Sequence, residues 1–102
     1  MARGYWIAHV DVVDPEAYKA YIAANAAAFS AFGARFLVRA GVHETPEGGL
    51  HGRRHVVMEF KDHATALACY HSPEYAAAMA LRAKAANADI VIIEGYDGPQ
   101  PG

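Results

Sequence analysis

The chain has 102 residues, of which 54% are hydrophobic and 20% charged, enough apolar content for one small globular core and too much for a disordered chain. Nine Lys and Arg against eleven Asp and Glu give a net charge of -2, with no basic run beyond Arg53-Arg54, so a nucleic-acid partner is not expected. No apolar stretch approaches the length of a membrane span, Cys69 is the sole cysteine and no apolar leader follows Met1; a membrane partner is not expected, and a reducing, cytoplasmic setting is.

Tyr5 to Val13 is rich in β-branched and aromatic residues and reads as a strand. Asp14-Pro15 closes it with the two residues favoured at a helix N-cap and first helical position. The helix that follows carries Tyr18, Tyr21, Ile22, Asn25, Phe29 and Phe32 at three- and four-residue spacing, and Gly33 is placed to end it. Residues 34–43 and 53–60 read as two further strands around a glycine-rich loop. Asp62 caps a short helix to about His71, and Ser72-Pro73-Glu74-Tyr75 restarts it, placing Tyr75, Met79 and Arg82 on one face. Residues 88–96 form a last strand, and residues 98–102 a flexible tail.

The order βαββαβ predicts an α+β fold of ferredoxin-like topology: one domain over residues 1–97, with a four-stranded antiparallel sheet and its helices on one face. The period of two puts Trp6, Ala8, Val10, Val12, Phe36, Val38, Ala40, Val42, Val56, Met58, Phe60, Val91 and Ile93 under the helices. The opposite face then carries an apolar belt, Ile7, Leu37, Val57 and Ile92, with His9, Asp11, Arg39, His55, Glu59 and Glu94 around it. Such a belt predicts a homodimer in which two sheets stack.

On Gly4-Tyr5-Trp6-Ile7, Val10-Asp11-Val12, Gly33-Ala34-Arg35-Phe36-Leu37-Val38-Arg39, Glu59-Phe60, Tyr70-His71-Ser72-Pro73-Glu74-Tyr75 and Glu94-Gly95-Tyr96, the chain resembles the small bacterial proteins grouped as domain of unknown function 1330. That family lies within the dimeric α/β-barrel superfamily. The resemblance implies the dimeric barrel, and a superfamily range from cofactor-independent oxygenases and haem enzymes to proteins without known chemistry; fold alone does not choose among these.

The site must therefore be read from side chains. His9, His55 and Glu59 are the candidate catalytic residues, with His9 or His55 as the base and Glu59 as the orienting carboxylate. Arg39 is the candidate anion anchor, with Asp11, Glu94 and His71 as further ligand-binding candidates. Arg82, facing with Tyr75, is either a clamp or a surface residue. His51 and His55, and His63 and His71, are too far apart within their elements to share an ion, and neither a metal nor a cofactor is expected. Ser72 is read as a helix cap and Cys69 as a small buried hydrophobe. Two functions follow as expectations: binding or transforming a small anionic or carbonyl-bearing molecule in a polar cavity on the helix-free face, or a non-catalytic dimerisation or stress-associated binding module.

Overall fold

The structure is a computed structural model that describes residues 2–102; Met1, the first residue of the expected domain, lies outside the described residues. The elements run β1 (Gly4–Val12), α1 (Pro15–Ala31), β2 (Arg35–Arg39), β3 (Arg54–Phe60), α2 (His63–Tyr70), α3 (Pro73–Arg82) and β4 (Ala86–Glu94). The four strands form one antiparallel sheet in the order β2-β3-β1-β4, which is the ferredoxin-like order. None of the helices is long and apolar enough to cross a membrane, among the described residues.

Each helix starts where its capping residue satisfies a backbone N–H left free at the first turn. Asp14 accepts from the Ala17 N–H, Asp62 from the Thr65 N–H and Ser72 from the Tyr75 N–H. Gly33, at φ 68°, ends α1 in the left-handed region that only glycine enters without strain. Ser72 does more than cap. Its hydroxyl also donates to the Cys69 carbonyl at 2.7 Å, so one buried side chain ties the last turn of α2 to the first of α3. Ser72→Ala should cost about 1–2 kcal/mol, the cap plus an unpaired buried carbonyl, read as a lowered urea midpoint at unchanged far-ultraviolet ellipticity. An unmoved midpoint would mean that Pro73 sets the restart without the serine.

The core lies between the sheet and the helix layer, centred on Trp6. Trp6 is 1% exposed and meets Phe29, Phe60, Tyr70 and Tyr75 with ring centroids 4.9–5.7 Å apart, and its Nε1 donates to the Ala66 carbonyl at 2.8 Å. Gly4 sits against the α2 N-cap so tightly that a Cβ there would stand 2.3 Å from the Asp62 carbonyl oxygen, which is why the strand begins on glycine.

Two stretches of the sheet depart from the sequence reading, each through its register. In β2, Phe36 pairs with Met58 but Val38 pairs with Val57 and Arg39 with Val56, so one residue is extra between Phe36 and Val38. A bulge of this kind reverses the facing of everything after it. Val38 therefore lies on the open face with Val57, and Arg39 on the helix side with Val56. The strand stops at Arg39, with Ala40 at φ 56°, so Ala40 and Val42 are not core positions, and Val42 is fully exposed.

In β4, Trp6 pairs with Ile92, Ala8 with Ile90 and Val10 with Ala88. Directly opposed residues share a face, so Ile90 and Ile92 lie under the helices while Val91 and Ile93 are on the open face, about half exposed. The expected facing of Val91, Ile92 and Ile93 is thus reversed. The run Ile90-Val91-Ile92-Ile93 is apolar on both faces and carries no phase of its own. Glu94, opposite Gly4, moves to the helix side with it.

Candidate functional site: a pocket between helices and sheet

On the open face, β1 and β3 place His9 directly opposite His55, with the two Nδ1 atoms 2.9 Å apart, so one ring donates and the other accepts. His43, from the loop between β2 and β3, packs its ring edge-on at 4.5 Å from His55. Burial, then the neighbouring His43 and His9 rings, hold the His55 imidazolium below the usual histidine range.

A depressed folded-state pKa means that protonation favours the unfolded chain. Its contribution to stability is present above the unfolded histidine value, near pH 6.5, and is lost as pH falls through the folded value. The melting temperature should therefore drop on acidification below about pH 6.5, and His55→Gln should flatten that part of the profile. An identical slope in the variant would assign the loss to carboxylates alone.

The other expected site residues do not join this pair. Glu59 stands four residues along β3 from His55, roughly 13 Å away, where it accepts a hydrogen bond from the Tyr5 hydroxyl at 3.1 Å and lies 3.9 Å from Arg3. Asp11 is on the open face, opposite Asn87 of β4. Arg39 and Glu94 are on the helix side for the register reasons above, and His71 is an exposed C-cap of α2. Among the described residues no group of three or more His, Cys, Asp or Glu side chains is placed to hold a metal ion.

A partly open pocket lies on the other side of the sheet, between it and α1 and α3, with a volume of about 40 Å³, room for roughly three water molecules. Its floor is Trp6, Met58, Phe29 and Phe36. Arg39, Arg54 and Arg82 line it too. Arg39 stands over the Phe36 ring at 4.1 Å, Arg54 over the Tyr18 ring at 5.6 Å, and Arg82 over the Tyr21 and Tyr75 rings at 5.8 Å. The ion pairs among the described residues are Arg3–Glu59, Lys19–Glu16 and Arg53–Asp89; none neutralises the three pocket arginines. Arg54 Nε is buried without a hydrogen-bond partner, a cost that folded chains seldom carry without a purpose.

The wall opposite the sheet is polar. Arg82 donates to the Tyr75 hydroxyl oxygen at 2.5 Å, and the Tyr21 and Tyr75 hydroxyls share a hydrogen bond at 2.8 Å. Burial, then the neighbouring Tyr21, pushes the Tyr75 phenol far above the usual tyrosine range, so it stays protonated. Asn25, one turn beyond Tyr21 on α1, is 5% exposed and also lines the pocket. Cys69 lies under α1 rather than in this wall, with its thiol pushed up to about 11 by burial and the nearby Glu74, which makes it chemically quiet.

Residues 3–96 match the family model described as "Domain of unknown function (DUF1330)". The chain belongs to the DUF1330 family. No curated protein matches it. Among solved structures, this DUF1330 chain is similar to the RPA0582 protein of unknown function from Rhodopseudomonas palustris, at 16% identity and a TM-score of 0.76, covering 95% of this chain and 85% of that one. The methylated form of RPA0582 gives 15% identity and 0.74, covering 97% and 84%. SnoaB, a cofactor-independent oxygenase from Streptomyces nogalater, gives 13% identity and 0.65, covering 99% and 97%. At such identities the likeness shows the shared α+β fold.

Sequence reasoning placed Tyr18, Tyr21, Asn25 and Phe29 on one helix stripe, and Tyr75 with Arg82 on another, but did not bring the two stripes together. In the sequence Arg54 reads only as half of a basic pair. Its signal was its position, two residues before Val56 on the face that the core strand buries.

Proposed function

We propose that this DUF1330 protein binds a small anionic or carbonyl-bearing organic molecule in the pocket between α1, α3 and the sheet, rather than on the helix-free face. The observation that carries the reading is the set of three arginines, 39, 54 and 82, around an apolar slot with no carboxylate to neutralise them. Fixed cationic groups beside an apolar floor favour a ligand with one charged end and one greasy end. The slot is small, but long arginine side chains form part of its lining, and a ligand that pairs with them opens it by rotating them outward.

The fold shared with SnoaB, an oxygenase without a cofactor, is compatible with a transformed as well as a bound ligand. The groups on hand for turnover are the Tyr21 and Tyr75 phenols with Arg82. His9 and His55 then act as an imidazole pair on a homodimer face, and a cytoplasmic setting suits the quiet thiol of Cys69. The second reading, a dimerisation or stress-associated module without a ligand, is favoured by the half-exposed Leu37, Val38, Val91 and Ile93.

Thermal denaturation against small aliphatic and aromatic acids, ketones and amines tests the choice. An acid at 100 times its Kd should add about 2.7 kcal/mol to the native state. Arg54→Gln should abolish that gain while folding normally. Stabilisation by none of the acids or ketones would overturn the reading in favour of the module.

A further inference from the structure

We infer that the pocket's ligand is an oxo acid: a carboxylate held by Arg39 and Arg54 at one end, a carbonyl oxygen received deeper by Asn25 and the Tyr21–Tyr75 pair, and an alkyl or aryl tail on the Trp6 floor. The inference rests on the proposed pocket and adds the order of groups along it.

That order follows from the sheet register and the helix rise. Arg54 is opposite Val10, Val56 is opposite both Ala8 and Arg39, and Met58 is opposite both Trp6 and Phe36. Both arginines therefore enter the pocket from strand levels beyond the aromatic floor. Along α1 the same direction is repeated. Tyr18 lies at the Arg54 end, Tyr21 roughly 5 Å deeper, Asn25 roughly 10 Å deeper, and Phe29 meets Trp6 and Phe36 at the floor. Cation, neutral polar group and apolar surface thus succeed one another on both walls.

The middle level offers donors, and the hydrogen-bond count shows it. Tyr21 and Tyr75 share one hydrogen bond, which uses one of their two phenol protons. Arg82 donates to Tyr75 and takes up a lone pair, not a proton. One phenol proton is left over, and the buried Asn25 amide lines the same pocket. A neutral acceptor such as a ketone satisfies these donors at once, whereas a methylene leaves them unpaired by the ligand. At the outer level, Arg54 Nε, buried and unpartnered, needs an acceptor in the same way, and a carboxylate supplies it.

Three probes of one length separate the parts: levulinate carries both oxygen functions, valerate only the carboxylate, and levulinamide only the ketone with a neutral amide end. Titration calorimetry on the wild-type protein should give levulinate about tenfold tighter binding than either of the others. Asn25→Leu should remove its advantage over valerate and leave that over levulinamide; Arg54→Gln should do the reverse. Circular dichroism melts confirm that both variants fold. Equal affinity for levulinate and valerate would overturn the oxo-acid assignment while leaving an acid-binding pocket. Binding of none of the three would overturn the oxo acid and the pocket together.

Discussion

Trp6→Ala should remove about 3–5 kcal/mol of stability, a large share of the roughly 5–15 kcal/mol that a domain of this size possesses. The indole is 1% exposed and stands at the point where four rings converge, Phe29 from α1, Phe60 from β3, Tyr70 from α2 and Tyr75 from α3. Its truncation leaves a cavity bordered mainly by rigid rings, and it removes the hydrogen bond that Nε1 gives to the carbonyl of the fully buried Ala66. Trp6→Phe should cost less, since it keeps most of the apolar area and loses the hydrogen bond. Because this is the only tryptophan, the urea midpoint must be followed by circular dichroism rather than by intrinsic indole fluorescence. A loss below about 1.5 kcal/mol in the alanine variant would mean that the core recloses, and that Trp6 is replaceable packing rather than its centre.

The same residue explains why so much of the fold could be read from the chain. Trp6, Ala8 and Val10 alternate with Ile7 and His9, so β1 carries its own phase, and β3 likewise through Val56, Met58 and Phe60. Asp14-Pro15, Asp62 and Ser72-Pro73 announce three helix starts by chemistry that is local. Where the signal is not local, the sequence leaves the facing open. Ile90 to Ile93 are apolar on both faces, and only pairing with Trp6 and Ala8 fixes which side meets the helices. The β2 bulge is a property of two strands together, and it moved Arg39 from the face of His9 and His55 into the pocket.

The site suffered most from this. Its polar members come from both helix stripes and from the buried side of β3, and charged residues such as Arg54 are read by default as solvent-facing. What disclosed them is a balance no sequence pattern displays: three guanidinium groups, one with a buried and unpaired Nε, on a wall without an acid.

If two copies stack through the open face, Val91→Asp should leave the protein a monomer. Val91 is 48% exposed at the edge strand of the open face, in register with Ile7, and with Ile93, Val57 and Val38 it forms an apolar surface that the isolated chain leaves in water. At a half-exposed strand position of a lone chain, an aspartate costs about 1 kcal/mol at most. Beneath a second sheet it would be a desolvated charge in each of the two copies, and the assembly could not form. The two cases differ in mass, not only in stability, so light scattering on the eluting species decides between them. A wild-type protein that elutes as a monomer at micromolar concentration, or a Val91→Asp variant that stays dimeric, would remove the open face as the dimer interface. It would also leave the His9–His55 pair as a solvent-side feature of a single chain.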